Sequence, residues 1–216
     1  RPFVMQANES DYDFLTRLWR SEGINWLIDE THYLSSDASS LEPQILRLID
    51  DNRHYLALQR EMIEYHQSSA TEQSDHITHL TAVRSLQPTA VHVQHWQAQH
   101  LETETGTGSV LSTRQHSEQH STASLSLEQA WTVSPAWVGD LNGEDGTTPS
   151  GNAQLEQLNR HLREQHDQQA KQFTALSSVR DAQVGYWFEL NDHPELDQHD
   201  SADKEFLILS KHYYNQ

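Results

Sequence analysis

The first thirty residues carry the strongest local folding signals in the chain. Ser10 is placed to cap a helix, and Asp13 completes a pair that resembles a capping box. The apolar residues that follow share one helical stripe: Phe14, Leu15, Leu18 and Trp19. Gly23 predicts the helix end, because a left-handed glycine commonly follows the last turn. The segment therefore predicts a strand–helix–strand unit, with strands at residues 3–5 and 24–29.

The second strand of this unit is predicted from its alternation. Side chains in a strand point to opposite faces in turn. One face of residues 24–29 would carry Ile24, Trp26 and Ile28, and the other Asn25, Leu27 and Asp29.

Period-two patterns dominate the chain after residue 76 and predict a strand-rich fold. Strands are expected at 77–83, 90–96, 123–128, 173–179, 184–190 and 206–208, with an earlier apolar burst at 45–49 and an ambiguous segment at 55–65. The stripe of Leu155, Leu158 and Leu162 predicts a second helix. Ser150 or Asn152 would cap its start, and the helix would end near residues 168–170. The predicted class is α+β, mostly β, with an antiparallel sheet closed or partly closed as a β-barrel.

The composition of the chain excludes several classes of binding partner and of chemistry. The chain has 32 acidic and 14 basic residues, a net charge of -18. Such a surface repels phosphate backbones and anionic membranes, so neither nucleic acid binding nor stable membrane insertion is expected. The chain contains no cysteine, which excludes thiol catalysis and cysteine-based zinc sites. Arg1, in place of a methionine, suggests a piece of a longer protein.

The histidines do not form a recognisable metal motif. His92 and His95 would point to opposite faces of one strand, and His116 and His120 lie in a segment without an apolar stripe. Suitable ligand types cluster in one acidic loop: Asp192, His193, Glu195, Asp197, His199 and Asp200. A solvated hairpin loop explains that cluster more simply than a metal does. No catalytic, cofactor-binding or metal-binding residue is predicted, and no cofactor.

The remaining candidate sites, two pairs of acidic residues and two tryptophans, have simple structural explanations. The acidic pairs Glu102/Glu104 and Glu144/Asp145 are predicted to lie in Gly- and Thr-rich loops, without the burial that acid–base catalysis needs. Trp131 and Trp137 could stack on sugar rings, although packing in the core or at the barrel rim explains them more simply.

Residues at both ends of the chain resemble a known family. In the first segment these are Arg1, Pro2, Gln6, Glu9, Ser10, Asp11, Phe14, Arg17, Leu18, Glu22, Gly23 and Ile24. Residues 45–50, 173–177, 184–190 and 205–212 continue the similarity. Together they resemble the hub region of VgrG proteins, the trimeric tip spikes of type VI secretion systems, which is related to the baseplate hub of contractile-tailed phages. Ala7 stands where that family usually has an aromatic residue.

The resemblance implies a structural and mechanical function. Residues 1–62 would form the strand–helix–strand connecting region, and 63–216 a phage-hub-like β-barrel region with a polar loop near 100–152. The full-length protein would be a homotrimer that caps a hexameric tube and carries effectors or adaptors across target membranes. It would assemble in the bacterial cytoplasm and then be secreted to the extracellular space or a target cell. The resemblance also implies that this chain is not an enzyme.

Two other functions remain open from the residues alone. One is a carbohydrate- or peptide-binding β-barrel module that uses exposed tryptophans, and the other is a metal-dependent hydrolase that uses the His/Asp loops. For the hub, the acidic surface predicts basic residues at the trimer contacts: Arg17, Arg20, Arg47, Arg84 or Arg180.

Overall fold

The computed structural model describes residues 4–29, 44–67, 74–97, 102–105, 110–111, 129–133 and 151–214. The helices are α1 (Asp11–Ser21) and α2 (Gly151–Ala170). The strands are β1 (Asn25–Asp29), β2 (Ile45–Ile49), β3 (Leu56–Glu64), β4 (Ile77–Arg84), β5 (Ala90–Gln97), β6 (Glu102–Thr105), β7 (Val110–Leu111), β8 (Gln129–Val133), β9 (Lys171–Ser177), β10 (Tyr186–Asn191) and β11 (Glu205–Leu207). The α+β, mostly β class is therefore confirmed.

The start of α1 agrees closely with its sequence signals. The Ser10 hydroxyl oxygen accepts the backbone N–H of Asp13 at 3.1 Å and donates to the Asp13 carboxylate at 2.7 Å. Gly23 has a φ of 72° and follows the last turn, as predicted. The stripe is less buried than expected: Leu15 is exposed, and Thr16 is the buried residue of the helix.

The predicted strand at residues 3–5 is wrong for its described part, because Val4 and Met5 have no strand structure. Side-chain hydrogen bonds hold this segment to the helix instead. Arg17 donates to the Met5 carbonyl at 3.4 Å, and Gln6 donates to the Asp11 carboxylate at 2.8 Å.

The strands form four sheets within the described residues, and no closed barrel is traced there. Strands β1 and β2 form a two-stranded ribbon, β11–β10–β3 a three-stranded sheet, and β4–β9 a pair. Strand β5 is flanked by β6 and β7 and also pairs with β8. The pairs β3–β10 and β5–β8 are parallel, which departs from the predicted antiparallel sheet. Parallel pairing is possible because a long connection separates the strands of each pair.

The chain forms two compact units, each built from two stretches. One comprises Arg1–Gly23 and Ala82–Gln172, and the other Ile24–Thr81 and Phe173–Gln216. The predicted domain division at residues 62 and 63 is a different partition, which these units do not test, and it stays a prediction.

In the first unit, α2 packs on β5 as its leucine stripe predicted. Leu155 and Leu158 are buried with Val93, and Leu162 is partly buried beside them. The helix begins at Gly151, so Asn152 lies inside its first turn, and Ser150 lies outside the described residues. It ends at Ala170, within the predicted range. No helix of the described residues is long and apolar enough to cross a membrane.

In the second unit, the core lies on the β3–β10–β11 sheet. Its buried residues are Leu58, Ile63, Ile77, Val179, Tyr186, Phe188 and Leu190. Within residues 55–65, ambiguous in sequence, Leu56–Glu64 form β3, which contains an irregularity. Trp187 pairs with Ala57, but Glu189 pairs with Met62, so β3 holds extra residues at this point, and Glu61 there has a φ of 55°. This bulge explains why Leu58 and Ile63, an odd number of residues apart, are both buried.

Candidate assembly surface

The β1–β2 ribbon carries an exposed apolar surface within the described part of the second unit. Its antiparallel register pairs Trp26 with Leu48 and Ile28 with Leu46. Because side chains alternate along a strand, these four share one side of the ribbon. We call this set the outer ribbon face: Trp26, Ile28, Leu46 and Leu48.

The outer ribbon face is apolar and accessible. Ile28 is 47% exposed, Leu46 52% and Leu48 48%, and Trp26 is half-buried. The alternation in residues 24–29 predicted that Trp26 and Ile28 share a face, and the structure confirms it. A contiguous group of exposed large apolar side chains often marks a surface that binds another protein.

The opposite side of the ribbon is buried and includes an acid. Leu27 and Ile49 are buried, and Asp29 is only 3% exposed. The Asp29 carboxylate forms an ion pair with Arg47, which sits diagonally across the two strands. A buried carboxylate is stable only when it is paired and hydrogen-bonded, so Arg47 is required by the burial of Asp29.

Tyr186 connects the ribbon to the three-stranded sheet. Its hydroxyl donates to Asp29 Oδ1 at 3.0 Å, while Arg47 donates to the other oxygen of the same carboxylate. The Arg47 guanidinium carbon also lies 5.8 Å from the centre of the Tyr186 ring. Both carboxylate oxygens are thus held by donors, an arrangement suited to anchoring the ribbon rather than to proton transfer.

Two further contacts fix the ribbon in place. The hydroxyl of Tyr55 is hydrogen-bonded to Asn25, and burial, which outweighs that bond, raises the pKa of Tyr55. Gly185 has a φ of 82° and lies directly against the Leu27 side chain, leaving no space for a Cβ. The ribbon is therefore packed and hydrogen-bonded at several points along its inner side.

The acidic loop that was considered as a metal site contributes one residue to a small cluster. Ligand atoms of Asp192, Glu64 and His66 all lie within 4.8 Å of one another. Both carboxylates are exposed and His66 is half-buried. Exposed groupings of this kind are common without a metal, so we assign no ion to the cluster. The predicted absence of a metal site stays a prediction.

The other residues of the loop make local structural contacts. His193 Nδ1 accepts the backbone N–H groups of Glu195 and Leu196, each at 3.3 Å. Asp197 lies 3.8 Å from Lys204. The loop joins the antiparallel strands β10 and β11, as predicted, and it contains two 3-10 turns, Leu196–Gln198 and Ser201–Lys204.

Several candidate residues lie in strands or outside the described residues. His92 and His95 are in β5, and Glu102 and Glu104 are in β6 rather than in a loop, because β6 pairs with β5. Trp131 lies in β8, with its side chain outside the described set. His116, His120, Trp137, Glu144 and Asp145 also lie outside it. The tryptophans whose side chains are described, Trp19, Trp26 and Trp187, are all half-buried, which does not favour an exposed sugar-binding platform.

Comparison with known families supplies the context for the outer ribbon face. The sequence profile of the phage tail baseplate hub (GPD) family matches residues 1–216. The chain belongs to the phage tail baseplate hub family. No curated protein matches the chain. Baseplate hub proteins are structural and belong to oligomeric assemblies. An accessible apolar face is suited to protein contacts within such an assembly.

The arginines proposed for hub contacts fall into two groups. Arg17 forms an ion pair with Glu9, and their hydrogen bond holds the pKa of Glu9 below its usual value. Arg47 forms the ion pair with the buried Asp29. Arg180 lies 3.5 Å from Asp75. These three already have partners within the chain. Within the described residues, Arg20 and Arg84 form no ion pair, so they remain the better candidates for contacts between hub subunits.

The hub residues that sequence reasoning missed are those of the Asp29–Arg47–Tyr186 network. Asp29 and Tyr186 are 157 positions apart, so their contact carries no local sequence signal. One signal was available: Asp29 lies two residues after the apolar Leu27, which places both side chains on the same face of the strand.

Proposed function

We propose that this chain is the hub segment of a trimeric type VI secretion spike. The observation that carries the proposal is the baseplate hub family match over residues 1–216. The resemblance of residues 1–24 to VgrG proteins favours a secretion spike over a phage tail. In this function the chain works by shape and assembly, and its residues do not catalyse a reaction.

The proposed hub caps a hexameric tube. A homotrimer of the full-length protein would present its β-rich region to the tube, and a barrel would close from these strands in the assembled particle. Effectors or adaptors would be carried by the spike and delivered across a target membrane. The protein would assemble in the bacterial cytoplasm and leave the cell when the sheath contracts.

The test is deletion of the gene in the source bacterium, followed by measurement of the tube protein in the culture supernatant. We expect the tube protein to disappear from the supernatant while its amount inside the cells is unchanged. Restoring the gene should restore secretion. Continued secretion of the tube protein would contradict the secretion function, and a loss of phage-like tail particles instead would assign the hub to a phage tail.

A further inference from the structure

We propose that the outer ribbon face of the β1–β2 ribbon binds a second copy of this chain. This inference rests on the proposed hub function and identifies the surface through which copies meet. Its starting observation is that Ile28, Leu46 and Leu48 are each about half exposed although they are large and apolar.

Charge favours this surface over the charged parts of the described surface. Each chain carries a net charge of -18, so two copies repel each other at most orientations. The outer ribbon face consists of one tryptophan, one isoleucine and two leucines, and none of these ionises. The centres of protein interfaces are depleted of charged residues and enriched in aromatic ones. This face therefore allows two acidic copies to approach without burying a carboxylate.

The rigidity of the ribbon supports the same inference. Binding costs less free energy when the contact surface is already ordered. On the inner side of the ribbon, the Asp29 carboxylate is held by Arg47 and Tyr186, and Leu27 is buried against Gly185. These contacts hold the backbone that carries the outer side chains in place before any partner binds.

The occupant is inferred to be a second copy because the hub family forms oligomeric assemblies. A lipid surface would require basic residues around the apolar group, whereas this chain is strongly acidic. A different protein partner is an alternative that the experiment below separates from a second copy.

The absence of cysteine allows a direct crosslinking test on the whole chain. A benzophenone maleimide attached to Leu46→Cys reacts on illumination with any chain near the outer ribbon face. The matched control is Leu176→Cys, because Leu176 is 60% exposed in β9 of the same unit. Mixing isotope-labelled and unlabelled chains distinguishes adducts between copies from those within one chain.

We expect the Leu46 probe to give mixed-isotope adducts at several times the yield of the Leu176 probe. Leu46→Glu should weaken self-association measured by sedimentation at least about tenfold, and Leu176→Glu should not. Circular dichroism should show both variants folded, since both positions are exposed.

Equal adduct yields from the two probes, or unchanged association of Leu46→Glu, would overturn this inference and leave the hub function standing. A wild-type chain that stays single at every concentration would also overturn it. An adduct formed only when a cell extract is added, and only with another protein, would assign the face to that protein instead. The hub function itself is judged separately, by the secretion measurement and by the native mass of the full-length protein.

Discussion

Replacing Arg47 with methionine is expected to lower the free energy of unfolding by about 3–5 kcal/mol, since removing one partner of a buried pair leaves the other charge uncompensated. The Asp29 carboxylate would remain buried, with 3% exposure, and would keep the Tyr186 hydroxyl but lose its cation. Urea unfolding at pH 7, followed by circular dichroism, measures the change. Tyr186→Phe is the matched milder variant and should cost about 1.5–3 kcal/mol, the net value of a hydrogen bond to a charged group.

The double variant Asp29→Leu/Arg47→Met separates this explanation from simple loss of packing. Apolar replacement of both partners removes the buried charge, so the double variant should be more stable than Arg47→Met alone. If the double variant is instead as unstable as the sum of the two single variants, the ion pair does not anchor the ribbon as described.

Gly185→Ala is expected to destabilise the chain by about 2–5 kcal/mol, the sum of left-handed strain and overpacking. Gly185 has a φ of 82°, a conformation that costs an alanine free energy. A Cβ at this position would overlap Leu27 Cδ2 and lie 3.2 Å from its Cγ, and Leu27 is buried. The same urea unfolding experiment measures the effect.

Adding Leu27→Ala tests the source of that cost. The smaller side chain makes room for the new Cβ, so the double variant should be less destabilised than the sum of the two single variants. The strain of the positive φ should remain. Strict additivity would show that Leu27 and residue 185 do not press on each other, contrary to the structure.

Local elements were the most predictable part of this fold. The cap at Ser10, the stop at Gly23 and the strand that follows depend on neighbouring residues, and all three are present. The α2 stripe was predictable for the same reason, since its leucines repeat at helical spacing and pack on β5.

Features set by distant residues were not predictable. The β3 bulge switches the face of the strand between Leu58 and Ile63, so period-two reasoning left the segment ambiguous. The parallel pairing of β3 with β10 depends on segments far apart in the chain. Neither feature has a signal within a window of a few residues.

The ribbon shows the same limit at the candidate site. Alternation grouped Trp26 with Ile28, and Leu27 with Asp29, correctly. Hydrophobicity alone would bury the first pair, yet the structure buries Leu27 and Asp29 because Arg47 and Tyr186 neutralise and bond the carboxylate. The accessible apolar face therefore follows from a tertiary contact.

The central claim is that this chain functions as a subunit of a hub assembly. The most direct measurement is the native mass of the full-length protein purified from its source bacterium. Three copies per particle are predicted. A particle of one copy at every concentration examined would contradict the account.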